Sequence, residues 1–167
     1  MLVLSTDGAI RMVKNVGDKA AELFTSSGFN CAESVLLTLT KELNKPTDLI
    51  IPSIATGFGG GIARTGAICG ALSGATMVIG LTIGRNKPEE LEKKEMVYEM
   101  ASKMIIDFEK EFGTCLCKDL IGCDLRAPEG RERVHENKII EKRCSKFVRW
   151  SANYVRRLIE TDRTWES

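Results

Sequence analysis

Four of the six cysteines in this 167-residue chain fall at or near expected helix starts. Cys31 follows Asn30, Cys69 opens a glycine-rich apolar stretch, Cys117 comes shortly after Thr114, and Cys144 precedes an amphipathic run. The first turn of a helix presents unpaired N–H groups and the positive end of the dipole, and both favour a thiolate over a thiol. A cysteine kept for packing alone has no reason to choose that place. The pattern points to thiol chemistry or to metal ligation.

Magnitudes bound that chemistry. A helix terminus stabilises a thiolate by roughly 0.3–1 kcal/mol, occasionally about 2. Two thiolates about 4 Å apart repel by about 4 kcal/mol at an effective dielectric of about 20. Repulsion wins, so clustered cysteines must stay partly protonated, pair as disulfides or share a cation. Arg64 is the candidate helper, because its permanently charged guanidinium lies shortly before Cys69 in the chain. With that help Cys69 is expected to have its pKa lowered by about 1–2 from about 8.5. Cys123 follows Gly122 at an expected helix end, where the dipole disfavours an anion. Cys69 is therefore expected to alkylate faster than Cys123.

Other chemistries find less support. His135 is the only histidine and lies in a charged stretch, read as solvated. A single histidine rules out a His-rich metal site, a two-His facial triad and the H-E-x-x-H motif. No C-x-x-C occurs, so covalent c-type haem through C-x-x-C-H is excluded too. The run Gly57-Phe58-Gly59-Gly60-Gly61 invites phosphate binding, yet it lacks the P-loop spacing and follows no expected strand. A formal net charge of +1 gives no global field to recruit nucleic acid or anionic lipid. The opening residues, Met1 to Asp7, do not read as a signal peptide, so the expected compartment is the cytoplasm and the cysteines are expected to be reduced.

Positioning these residues falls to helices, since the hydrophobic periodicity is helical and no convincing strand is found. The first helix is expected from about Asp7 to Thr25, with Ile10, Val13, Ala20, Leu23 and Phe24 inward and Gly28 as its C-terminal cap. Asn30-Cys31-Ala32-Glu33 reads as a capping box that places Cys31 first in a helix reaching about Leu43. Lys45-Pro46-Thr47 breaks the chain before a short turn or helix near Ile50 to Ala55. Further helices are expected at Thr65 to Leu81, Glu89 to Glu111, Thr114 to Ile121 and from about Cys144 to Thr161. Arg126 to Glu141 reads as a polar loop, and the residues after Thr161 as frayed.

Thr65 to Gly84 carries no charge over 20 residues, about the length of a membrane span. Its five glycines, its hydroxyls and the lack of an aromatic belt favour a buried helix. Gly66, Gly70 and Gly74 fall four apart, which lets another helix approach, from the same chain or from a homodimer partner.

Four of these stretches together resemble one family. Gly57-Phe58-Gly59-Gly60-Gly61, Arg64, Gly66 and Cys69-Gly70-Ala71-Leu72-Ser73-Gly74 are similar to the core of the C_GCAxxG_C_C family. Gly28 to Leu36 resembles its first cysteine motif, Phe112 to Gly122 its third, and Cys144 with Val148 and Ala152 its fourth. The likeness covers residues 20–158 approximately, and it implies redox activity without specifying a reaction. It places the signature cysteines on Cys31, Cys69, Cys117 and Cys144, leaving Cys115 and Cys123 as extras. Ala67 stands where an acidic residue is common in the family, and Lys118 where arginine is common. Some relatives resemble split-Soret cytochromes, whose covalent haem this chain cannot reproduce.

The resulting expectation is a single all-α domain over 1–167, a bundle of five to six helices whose N-termini converge Cys31, Cys69, Cys117 and Cys144 on one site. Cytoplasmic thiol-based redox or electron-transfer chemistry with an unspecified redox partner is the leading function. Cys69 is its central thiol, with Arg64 nearby. The alternative is a non-enzymatic module in which the same four cysteines hold Zn²⁺ or an iron–sulfur cluster.

Overall fold

The computed structural model describes residues 2–4, 10–12, 14–45 and 50–161. Local capping signals set several of the helix boundaries. Helix α1, Val16–Ser26, starts where the Asn15 side chain accepts the Asp18 N–H at 2.9 Å, and Gly28, at φ 81°, turns the chain just past its end. Helix α2, Cys31–Glu42, begins with the expected capping box. Helix α3, Ile50–Ala55, continues into a 3₁₀ turn at Thr56–Phe58. Helix α4 is Gly70–Ile83, and α5 is Leu91–Phe112, stopped by Gly113 in the left-handed region at φ 85°. The short α6, Cys117–Ile121, and α7, Pro128–Glu136, follow. A five-residue π-helix, Ile140–Cys144, then runs directly into α8, Ser145–Thr161.

Helix α4 is apolar on nearly every side, and such a helix must be buried. It packs against α2, α5 and α8, while α1 lies on α8 and α2. Leu36 and Leu39 of α2, Leu72 and Ile79 of α4, Met104 and Phe108 of α5, and Val148 and Val155 of α8 form the fully buried centre. Each such side chain contributes roughly 1.5–3 kcal/mol on leaving water. Aromatic contacts among Phe108, Phe112, Phe147, Trp150 and Tyr154 join α5 to α8. A smaller cluster of Cys117, Ile121, Cys123, Val134 and Ile139 holds α6 and α7 together.

Several sequence expectations need correction. Among the described residues a short N-terminal hairpin occurs where no strand was expected, with β1, Leu2–Leu4, pairing antiparallel with β2, Ile10–Met12. The first helix therefore starts at Val16 rather than near Asp7; Asp7 and Val13 lie outside the described residues, as do Pro46, Thr47 and residues 162–167. Eight α-helices occur among the described residues, against the five to six expected. One extra is α7, placed where a loop was expected: Pro128 starts it, and Arg131 Nη1 donates to the Leu125 and Arg126 carbonyls at 2.9 and 2.8 Å. Leu91, the first residue of α5, is exposed. No helix among the described residues is long and apolar enough to cross a membrane.

Candidate functional site

Cys31 is positioned by purely local chemistry. Asn30 Oδ1 accepts the N–H groups of Ala32 and Glu33 at 2.9 and 3.1 Å, and Glu33 Oε2 accepts the Asn30 N–H at 2.7 Å. The other Glu33 oxygen accepts the Thr56 hydroxyl at 2.5 Å, and Asn30 Nδ2 donates to the Thr56 carbonyl at 3.0 Å. The start of α2 is thus tied to the 3₁₀ turn. Helix α4 starts against the same spot. At Gly70 a Cβ would lie 2.5 Å from Cys31 Sγ and 2.6 Å from the Phe58 carbonyl, so glycine is required there for space. The Cys31 sulfur consequently receives the backbone N–H groups of Gly60, Ala32, Cys31 itself and Gly70. Burial pushes its thiol up, and those N–H groups offset only part of that rise.

The Gly60 N–H arrives through an unusual backbone. Residues Gly60, Gly61, Ile62, Ala63 and Arg64 all have positive φ, from 50° to 69°. The turn is closed by the Ala63 N–H donating to the Gly57 carbonyl at 2.8 Å and the Ala67 N–H donating to the Gly61 carbonyl at 3.0 Å. Left-handed backbone costs a non-glycine residue about 1–2 kcal/mol, a strain that collects at functional sites. Ala63, at φ 50°, is exposed and has only a methyl group to bury. Ala63→Gly is therefore expected to stabilise the protein by roughly 0.5–1 kcal/mol, measured by urea denaturation. A lowered midpoint would show that the turn is not strained at this residue.

A non-local staple brings the second pair of thiols in. Ile68 and Leu116 form an isolated antiparallel bridge, with the Cys69 N–H donating to the Cys115 carbonyl at 2.8 Å and the Cys117 N–H to the Ala67 carbonyl at 2.7 Å. Cys69 becomes the N-cap of α4 and Cys117 the first residue of α6, both buried at 5% and 8% exposure. Gly61 fits against Cys117, where a Cβ would meet Cys117 Cβ at 2.6 Å. Cys144 comes from the last turn of the π-helix, a helix type frequent at functional sites.

All four cysteines line one cavity of about 860 Å³. Each of the six pairings among their thiols raises the pKa of a partner, as mutual repulsion demands. Burial is the larger cause throughout: it holds Cys69 well above its ordinary value and pushes Cys117 and Cys144 up to about 12. Cys115 and Cys123 lie off this cavity. Burial and Glu109 push the Cys115 thiol up.

The convergence of Cys31, Cys69, Cys117 and Cys144 follows the sequence expectation, but two attributes do not. Cys69 is central in position, yet its pKa moves up rather than down. Burial outweighs the helix terminus, and Arg64, exposed on the cavity rim, is not among the leading influences on it. Cys144 lies inside a continuous helical run from residue 139, so no open N-terminus faces it. Cys31 has the N–H support foreseen for Cys69. His135, read as solvated, is exposed but also borders the cavity with Arg131 and Glu141. The Glu33–Thr56 bond and the Gly60 N–H had no sequence signal beyond a capping box and a glycine run. All six cysteines are free thiols, and among the described residues no three His, Cys, Asp or Glu side chains are arranged to hold a metal ion.

A family model described as "Putative redox-active protein (C_GCAxxG_C_C)" matches residues 29–158, most of the chain. The chain belongs to the C_GCAxxG_C_C family. The four cavity cysteines, the left-handed turn and the Ile68–Leu116 staple all fall within the C_GCAxxG_C_C match. No curated protein and no solved structure matches the chain.

Proposed function

We propose that the four-cysteine cavity carries out dithiol–disulfide redox chemistry, with Cys31 as the attacking thiol and Cys69 as its resolving partner. The observation behind this reading is the ring of backbone N–H groups from Gly60, Ala32 and Gly70 on the Cys31 sulfur, beside three further thiols. Cys31 is partly exposed and Cys69 is buried, so an incoming group meets Cys31 first. Cys31 is also the largest charge influence on Cys69.

The electron acceptor is an external disulfide. The Cys31 thiolate attacks one of its sulfurs, a mixed disulfide forms, and the other sulfur leaves as a thiol with the Cys31 proton. Cys69 then attacks the Cys31 sulfur and releases the second external thiol, which takes the Cys69 proton. Two protein thiols have lost two electrons and two protons, and one external disulfide has become two thiols. N–H donors at the Cys31 sulfur stabilise its anionic form when it attacks, while burial keeps the resting thiols protonated.

Anaerobically purified protein, titrated with an excess of a small disulfide, should lose two or four thiols, and a reductant should restore them. Peptide mapping is expected to find the bonds among Cys31, Cys69, Cys117 and Cys144. Loss confined to Cys115 or Cys123 overturns the reading. Stoichiometric zinc or iron in the purified protein, released together with the thiols, would establish the metal-binding module instead.

A further inference from the structure

We infer that the cavity takes a small amphipathic anion, and that the electron-accepting partner of the thiols is a disulfide of this class, with an apolar body and one anionic group, which is reduced to two thiols. Only that partner role rests on the dithiol reading; the binding itself does not. Cys31, the thiol an incoming group meets first, lines the cavity together with Cys69, so a molecule bound there lies against the attacking pair. The volume of about 860 Å³ suits a small ligand, since such sites typically span about 300–1,000 Å³.

The wall defines the body. Phe24, Phe29, Leu125, Val134, Ile140 and Phe147 line it, and apolar surface there is best covered by an apolar ligand. The charges define the end. Arg64 from the left-handed turn and Arg131 from α7 face the cavity with His135, against the single carboxylate of Glu141. Arg131 is anchored through Nη1 to the Leu125 and Arg126 carbonyls, which fixes its guanidinium at the wall. The balance is cationic around an apolar chamber, and it accommodates one anionic group with an apolar remainder.

The test uses reduced full-length protein and two fluorescent probes with the same ring system. Anilinonaphthalene sulfonate has the anionic group, and phenylnaphthylamine lacks it. The sulfonate should bind saturably at one per chain and roughly tenfold more tightly than the neutral probe. Arg64→Gln should remove most of that difference while leaving the neutral probe unaffected. Bound sulfonate should slow alkylation of Cys31, a readout that requires no variant, and Leu125→Trp should weaken both probes. Binding should persist in Cys31→Ser, so a failed redox reading leaves this one standing. Equal affinity for the two probes, non-saturating binding, or unaltered Cys31 alkylation would each overturn the inference even if disulfides form normally.

Discussion

Gly70→Ala is expected to destabilise the protein by about 1–3 kcal/mol and to displace the Cys31 sulfur from its N–H groups. The new Cβ would lie 2.5 Å from Cys31 Sγ and 2.6 Å from the Phe58 carbonyl, and the second of these is backbone. Alanine is normally the better helix residue by about 1 kcal/mol, so a loss of stability here reports crowding. Gly80 supplies the control. It lies in the same helix with nothing within 4 Å of its would-be Cβ, and Gly80→Ala should stabilise by roughly 0.5–1 kcal/mol. Urea denaturation of both variants, with the rate of Cys31 alkylation, decides the matter. If the two substitutions shift the midpoint equally and upward, α4 does not press on Cys31.

The second large effect is on pH dependence. Cys117 and Cys144 are pushed to about 12 in the folded protein, chiefly by burial, against an ordinary value of 9.0. The folded state thus prefers their protonated form. Their contribution to stability is fully present below about pH 9 and is lost as pH rises from there through about 12. For each thiol the loss is at most about 4 kcal/mol, and coupling makes the pair less than additive. Stability of the reduced protein should therefore fall steeply above about pH 9. The Cys117→Ser, Cys144→Ser double variant should fall less. Tyr154, also raised to about 12 by burial and Asp107, is common to both proteins and drops out of the comparison. Parallel curves for the two proteins would mean that these thiols are not buried as described.

Near-neighbour chemistry was legible in the chain itself. The capping box at Asn30 and Glu33, with Cys31 as the first helical residue, involves groups within three residues of one another. Gly113 and Gly122 end their helices in the left-handed region, as their places in the sequence suggest. Helix α8 buries Phe147, Val148, Ala152, Val155 and Ile159, the stripe its periodicity marks out. The four cysteines that line the cavity could be singled out before any contact was known.

What each cysteine experiences was decided only in three dimensions. The Ile68–Leu116 staple joins segments nearly fifty residues apart, and no local pattern announces it. The left-handed turn converts a glycine run into an N–H donor for Cys31, and it holds Ile62, Ala63 and Arg64 in a conformation their own preferences oppose. Most telling is the sign at Cys69. A helix terminus is local and small, whereas desolvation sums over every neighbour packed around the thiol and is larger. Sequence alone therefore placed Cys31, Cys69 and Cys117 at helix starts, and misplaced Cys144, which lies within a continuous helical run. Tertiary packing decided that burial governs their protonation, because burial belongs to the whole fold and not to any segment of it.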